Sequence, residues 1–310
     1  MLRIVPPFAL FGLLFIGLAT SPLSAETPAA GAPLPGADAF RKARQYDTGS
    51  GVVINKPEAV RLYREASAAG HPLAKPFLAM TYFFGNGVPQ DKTQAEKLTR
   101  GTYGSVLEVA KKNDPEAQVC LALMYFEGLG VARDTEDALQ WLRKSADQNY
   151  APALVNLGAA FALGEGVARD DVEAAKWFRL AADQNNTAAQ TYLGVFYNEG
   201  RGVDRDVAEA ARLWQLAAAQ GSAQAQNNLG VLYDHGCAVE LNKWEALRLY
   251  RLSAAQNYAE GLYNLGVTYE RGCVVPQDLN EAARLYRAAA AQHLKCAEKA
   301  LRCLGYDSCE

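Results

Sequence analysis

Apolar and polar positions in this chain follow a block that returns. Runs such as Ala153-Leu-Val-Asn-Leu-Gly-Ala-Ala-Phe161 carry apolar side chains at helical spacing. Each is followed, after a short glycine-bearing phrase, by a second run such as Ala174-Ala-Lys-Trp-Phe-Arg-Leu-Ala-Ala182. The phrase reads Tyr125-Phe-Glu-Gly-Leu-Gly-Val131 and Tyr197-Asn-Glu-Gly-Arg-Gly-Val203, and is worn in Tyr233-Asp-His-Gly-Cys-Ala-Val239 and Tyr269-Glu-Arg-Gly-Cys-Val-Val275. Its first glycine falls at 49, 85, 128, 164, 200, 236 and 272, so the steps are 36 residues except for one of 43. Self-similarity at a fixed period predicts stacked units, none of which buries its apolar face alone.

Each unit reads as two helices. Helix A ends at the Gly-x-Gly turn, where glycine permits left-handed backbone angles. Helix B opens at Asn55, Asp91, Asp134, Asp170, Asp206, Asn242 and Asp278, and Glu58, Gln94, Asp137, Glu173, Glu209, Glu245 and Glu281 stand three residues later. That is the signature of a capping box with Asx at the cap. Gly158, Gly194, Gly230 and Gly266 sit inside helix A after the recurring leucine, which predicts a close approach by the partner helix. The 43-residue step has seven extra residues together with Gly101 and Gly104, and predicts a longer, kinked helix B rather than a structureless loop.

The first 25 residues stand outside this pattern. Arg3, the apolar stretch Phe8 to Leu18 and the small-residue site Leu23-Ser24-Ala25 predict a secretory signal peptide over 1–25, too short in its apolar core to span a bilayer. Residues 26–38 read as a flexible Ala/Pro/Gly leader, 39–293 as the repeat array, and 294–310 as a C-terminal cap with cysteines. A net charge of −3 gives no case for nucleic acid. Export predicts a periplasmic or secreted protein that does not span the membrane once its signal is cleaved.

Chemistry is sparse. His71, His235 and His293 are isolated, with no His-Glu-x-x-His and no Ser-x-x-Lys. The Gly-x-Gly turns follow helices and recur in every unit, so they read as turns and not as phosphate loops. No catalytic, cofactor or metal site is expected.

The signature Ala-x-x-x-Leu-Gly-x-x-Tyr-x-x-Gly-x-Gly-Val-x-x-Asp-x-x-x-Ala-x-x-Trp resembles the SEL-one-like repeat, a relative of the tetratricopeptide repeat, over about residues 40–293. The resemblance implies an all-α, right-handed α-solenoid of about seven helix-turn-helix repeats with a C-terminal capping helix. It also implies protein–protein interaction, with exported bacterial members acting as envelope scaffolds, regulators of signalling proteins or factors in host contact. A cysteine-rich branch is linked to β-lactam binding and hydrolysis, through a cysteine late in helix B paired with one early in the next helix A. Ala290 and Gln118 occupy such positions here, a departure from that branch.

By analogy with tetratricopeptide arrays, helix A lines the concave side. The positions two before the recurring leucine and two, five and six after it are then expected to be exposed. They give Met80, Phe83, Phe84, Val119, Leu123, Phe126, Val155 and Leu163 in the first half. In the second half they give Thr191, Asn198, Glu199, Asn227, Asp234, His235, Tyr263, Glu270 and Arg271. The groove would be apolar at its start and polar at its end, suited to a partner segment. The alternative is that some of these side chains are core, or covered by the leader or by the long helix of unit two.

Helix B carries two basic rows, Arg61, Lys97, Lys176, Arg212, Arg248 and Arg284, and Arg64, Arg100, Arg143, Arg179, Arg251 and Arg287. They form a strip for anionic envelope polymers, or else the first row pairs with the acidic cap residues three positions earlier. Cys237, Cys273, Cys296, Cys303 and Cys309 are disulfide candidates for stapling the C-terminal end, and Cys120 reads as a buried free thiol. Units stack about 10 Å apart, whereas a bridge needs Cα atoms closer than about 7 Å, so a bridge between equivalent cysteines is awkward.

The sequence therefore points to a non-catalytic interaction scaffold or regulator of the bacterial envelope that binds another protein in its helix A groove. The alternatives are a peptidoglycan- or β-lactam-directed enzyme, or an envelope-polymer binder acting through helix B.

Overall fold

The computed structural model describes residues 34–49 and 51–305. The expected signal peptide, most of the expected leader, and Cys309 lie outside the described residues. Among the described residues the chain is all-α, with sixteen helices and no strand. It is an α-solenoid of helix hairpins. Contacts gather it into two compact units, one ending at Asp204 and one beginning at Arg205.

In the N-terminal unit the helices are α1 Ala37–Thr48, α2 Lys56–Ala68, α3 Ala74–Phe84, α4 Lys92–Thr99, α5 Tyr103–Lys111, α6 Pro115–Glu127, α7 Thr135–Ala146, α8 Ala151–Leu163, α9 Asp171–Ala182 and α10 Thr187–Glu199. The C-terminal unit holds α11 Val207–Ala219, α12 Ala223–His235, α13 Lys243–Ala255, α14 Ala259–Arg271, α15 Leu279–Ala290 and α16 Lys295–Cys303. Within each unit consecutive helices pack on one another, apart from α4 and α5. The first helix begins at Ala37, two residues before the expected start of the array at 39.

All seven expected caps open helix B. The side chain of each accepts the backbone N–H three residues on, from Asn55 with Glu58 (3.2 Å) to Asp278 with Glu281 (2.9 Å). Each such cap contributes about 1 kcal/mol. All seven first glycines close helix A in the left-handed region. Space adds a second requirement at Gly202, where a Cβ would lie 2.0 Å from the Asp171 carbonyl oxygen. Ala238 takes the equivalent place in the sixth unit at φ 58°, outside ordinary L-residue space.

The glycines inside helix A admit helix B, as their placement predicts. A Cβ on Gly158 would meet the Phe178 ring at 2.7 Å, and one on Gly266 the Tyr286 ring at 2.6 Å. Phe178, Trp214 and Tyr286 are among the largest fully buried side chains. In the second unit the expected kinked helix is instead two helices. Arg100 leaves helical geometry (φ −57°, ψ 118°) and Gly101 turns left-handed (φ 77°). The chain then restarts as α5, so the seven extra residues build a second short helix.

Candidate functional site: the helix A face

Exposure along helix A departs from the expected groove. Met80, Val119, Leu123, Phe126 and Val155 are core, none more than 3% exposed. Thr191, Asn198 and Asn227 are buried too. Phe83, Phe84, Leu163, Glu199, Asp234, Tyr263 and Glu270 are half-buried, and only His235 and Arg271 are exposed. The correction has a physical cause. Helix A packs on its own helix B and also on helix A of neighbouring hairpins, such as α6 on α3 and α8. In the N-terminal unit that seals Met80, Val119, Leu123, Phe126 and Val155 from solvent.

A polar network closes the start of the N-terminal unit. Arg44 of α1 donates through Nε to Glu116 at the start of α6, two repeats along the chain, and its guanidinium lies over the Phe77 ring at 4.5 Å. Its Nη1 stands 3.5 Å from Asp47 Oδ2 and 3.4 Å from the Tyr63 hydroxyl. The Tyr63 hydroxyl donates to Asp47 Oδ2 at 3.0 Å, and Lys56 Nζ to Asp47 Oδ1 at 2.7 Å. Burial alone would raise the Asp47 carboxyl. The charges of Lys56 and Arg44, with hydrogen bonds from Lys56 and Tyr63, outweigh it and hold Asp47 below the usual range. Burial pushes the Tyr63 phenol well up. His71 stacks on Phe40 (centroids 4.1 Å apart) and is lowered by burial. Arg44, Asp47, Tyr63 and Glu116 were outside the expected groove residues, because no local pattern links positions 72 apart.

In the C-terminal unit the face stays open. Val231 and Val267, at the place that Met80 and Leu123 occupy, are half-buried, as are Tyr263 and Asn264. Asn264 Nδ2 donates to the buried Asn227 Oδ1 at 2.8 Å, tying α14 to α12. The Tyr286 hydroxyl passes beside Gly266 and donates to Glu270 Oε2 at 2.5 Å. A tyrosine of helix B sixteen residues after a carboxylate of helix A recurs at Tyr63 with Asp47 and Tyr250 with Asp234. The period was available in the sequence as a signal. Burial raises Glu260, and also the Cys296 thiol, which faces Glu260 and Tyr263.

The helix B rows are tied down locally. Arg61, Lys176, Arg212, Arg248 and Arg284 each pair with the acidic cap partner three residues earlier, at 2.6–2.9 Å. From the second row Arg64, Arg179 and Arg251 donate to the hydroxyls of Tyr82, Tyr197 and Tyr269 at 2.6, 2.5 and 3.5 Å. The local-pairing alternative accounts for these five cations of the first row.

Cys120 is buried, and burial raises its thiol far above the usual range. Cys237, Cys273, Cys296 and Cys303 are free thiols on or near the surface, so the expected stapling bridges are not formed among the described residues. Gln118 is engaged as an inter-repeat contact, accepting from Gln148 Nε2 at 2.8 Å. Among the described residues no helix is long and apolar enough to cross a membrane.

These hairpins define a class, the tetratricopeptide-like α-solenoids. The chain belongs to the Sel1 repeat family, whose pattern matches residues 43–71, 77–100, 115–150, 151–186, 187–222, 223–258 and 259–294. It is similar to the crystal structure of a Sel1 repeat protein from Oxalobacter formigenes, with 29% identity, TM-score 0.62, and coverage of 83% of this chain and 98% of that one. Another similar structure is c5321, a protective antigen present in uropathogenic Escherichia coli strains that displays an SLR fold. It shows 28% identity and a TM-score of 0.45 over 86% of this chain and 64% of that one. No curated protein sequence matched.

Proposed function

We propose that this chain is a non-catalytic protein-interaction scaffold of the bacterial envelope, periplasmic or secreted, that holds a partner segment on the helix A face of its C-terminal unit. The family supports the interaction role. The observation that carries the location is the change in accessibility at equivalent positions. Met80 and Leu123 are sealed where Val231 and Val267 are half-open, and Val119 and Val155 are sealed where Tyr263 is half-open. An apolar centre of Val231, Tyr263 and Val267, rimmed by Asp234, His235, Glu270 and Arg271, suits an amphipathic segment.

A photocrosslinking side chain at Tyr263, irradiated in intact cells, tests the reading. The expected result is a discrete adduct that disappears when Val231 and Val267 become serine while the helical circular dichroism is unchanged. An adduct that persists in the folded double variant overturns this face as the binding site.

A further inference from the structure

We infer that the last helix carries a second docking surface, a basic stripe of Lys295, Lys299 and Arg302 that receives an acidic polypeptide segment. Ala297 and Leu301 turn the apolar face of α16 inward. Lys295, Lys299 and Arg302 are all exposed and spaced i, i+4, i+7, so they share one outward stripe, with the exposed Cys296 and Cys303 along its edge. Their spacing covers about 10 Å of helix.

What sets these cations apart is that three of them share one face of a single short helix without an ion pair. Among the described residues none of the three is paired, and Glu298, the acid on the same helix, is half-buried to one side. On helix B, Arg61, Lys176, Arg212, Arg248 and Arg284 are each answered by a glutamate three residues earlier, as with Arg284 and Glu281 at 2.7 Å. The stripe is therefore positive charge that no described residue pairs. Its size selects the partner. Membrane recognition through basic residues takes clusters of roughly four to eight, and nucleic-acid binding builds affinity over many phosphates. Carboxylates on a partner helix at the same i, i+4, i+7 spacing match the three cations one to one.

The test uses the full chain without its signal peptide and a fluorescein-labelled helical peptide bearing glutamates at that spacing, followed by anisotropy. Binding is expected at about 50 mM salt and is expected to be lost at about 500 mM. It is expected to weaken by roughly tenfold or more when Lys295, Lys299 and Arg302 become glutamine, or when the peptide glutamates do. Serine at Val231 and Val267 is expected to leave it unchanged, which separates this surface from the groove. Equal binding by the triple variant overturns the stripe. Stripe-dependent binding of anionic vesicles or duplex DNA tighter than that of the peptide overturns the partner class. Peptide binding that requires removal of residues 306–310 makes the chain's own acidic tail the occupant and equally overturns the proposal.

Discussion

The Tyr286 hydroxyl donates to Glu270 Oε2 at 2.5 Å across the last hairpin, from helix B to the accessible rim of helix A. The bond fixes the carboxylate's direction and leaves its other oxygen for solvent or a partner. Glu270, selected from sequence as a groove residue, is thus also a structural one.

Phenylalanine at Tyr286 keeps the ring beside Gly266 and removes only the donor. Hydrogen bonds to charged groups contribute about 1.5–3 kcal/mol, and the half-buried acceptor places the expected loss near the lower end. Urea unfolding of Tyr286→Phe is expected to show a reduced midpoint with unchanged slope. An unchanged midpoint would mean that water replaces the hydroxyl without cost.

Gly266 and Gly104 give opposite expectations for one substitution. A Cβ at 266 would press on the Tyr286 ring at 2.6 Å, whereas nothing lies within 4 Å of one at 104. Overpacking costs about 1–3 kcal/mol, against a helix-propensity gain of about 1 kcal/mol for alanine over glycine. Gly266→Ala is therefore expected to destabilise, and Gly104→Ala to stabilise by roughly 0.5–1 kcal/mol. Thermal melts of the two variants, run side by side, check the pair.

How far the sequence reached follows from the range of each interaction. The helix B starts were legible because a cap such as Asp278 with Glu281 is settled within four residues. The turns were legible because left-handed angles at Gly200 and Gly272 select glycine. The accessible face was not. Whether Leu123 meets solvent depends on how tightly successive hairpins curve, and Arg44 reaching Glu116 across 72 residues is part of that packing. The extra residues of the second unit were also misread in detail. Gly101 suits a kink or a break, and the left-handed angle that decides for a break is a property of the fold.

The Arg44–Glu116 pair makes its own prediction. Arg44 is nearly sealed, its side chain 10% exposed, while Glu116 keeps 26%. Breaking a fully buried pair costs about 3–5 kcal/mol, and the access of water to Glu116 lowers the expectation for Glu116→Ala to about 2 kcal/mol. Methionine at both 44 and 116 is expected to recover part of that loss, because it removes the stranded cation as well. The recovery will be incomplete, since Asp47 and Tyr63 lose a partner with Arg44. Denaturant unfolding of the single and double variants measures this, and a double variant no more stable than Glu116→Ala would refute it.

His71 should make the N-terminal unit sensitive to mild acid. Its ring stacks on Phe40, and its Nδ1 accepts the Leu73 N–H at 3.3 Å, an acceptor role that requires that nitrogen to be unprotonated. Burial lowers its folded value below the ordinary 6.5, with Glu116 opposing in part. The folded state then binds fewer protons than the unfolded chain between the two values. The stability His71 contributes is fully present above about 6.5 and is lost as pH falls through the folded value beneath it. The Asp47 contribution is fully present above the ordinary 3.8 and is lost as pH falls through its depressed folded value. Phenylalanine at 71 keeps a ring against Phe40 and abolishes the titration. Melting temperatures between pH 8 and pH 5 are expected to fall less for His71→Phe than for the unsubstituted chain. Hydrogen exchange in α1 and α3 is expected to locate the difference in this unit, and parallel pH profiles for the two proteins would show that His71 does not titrate in this range.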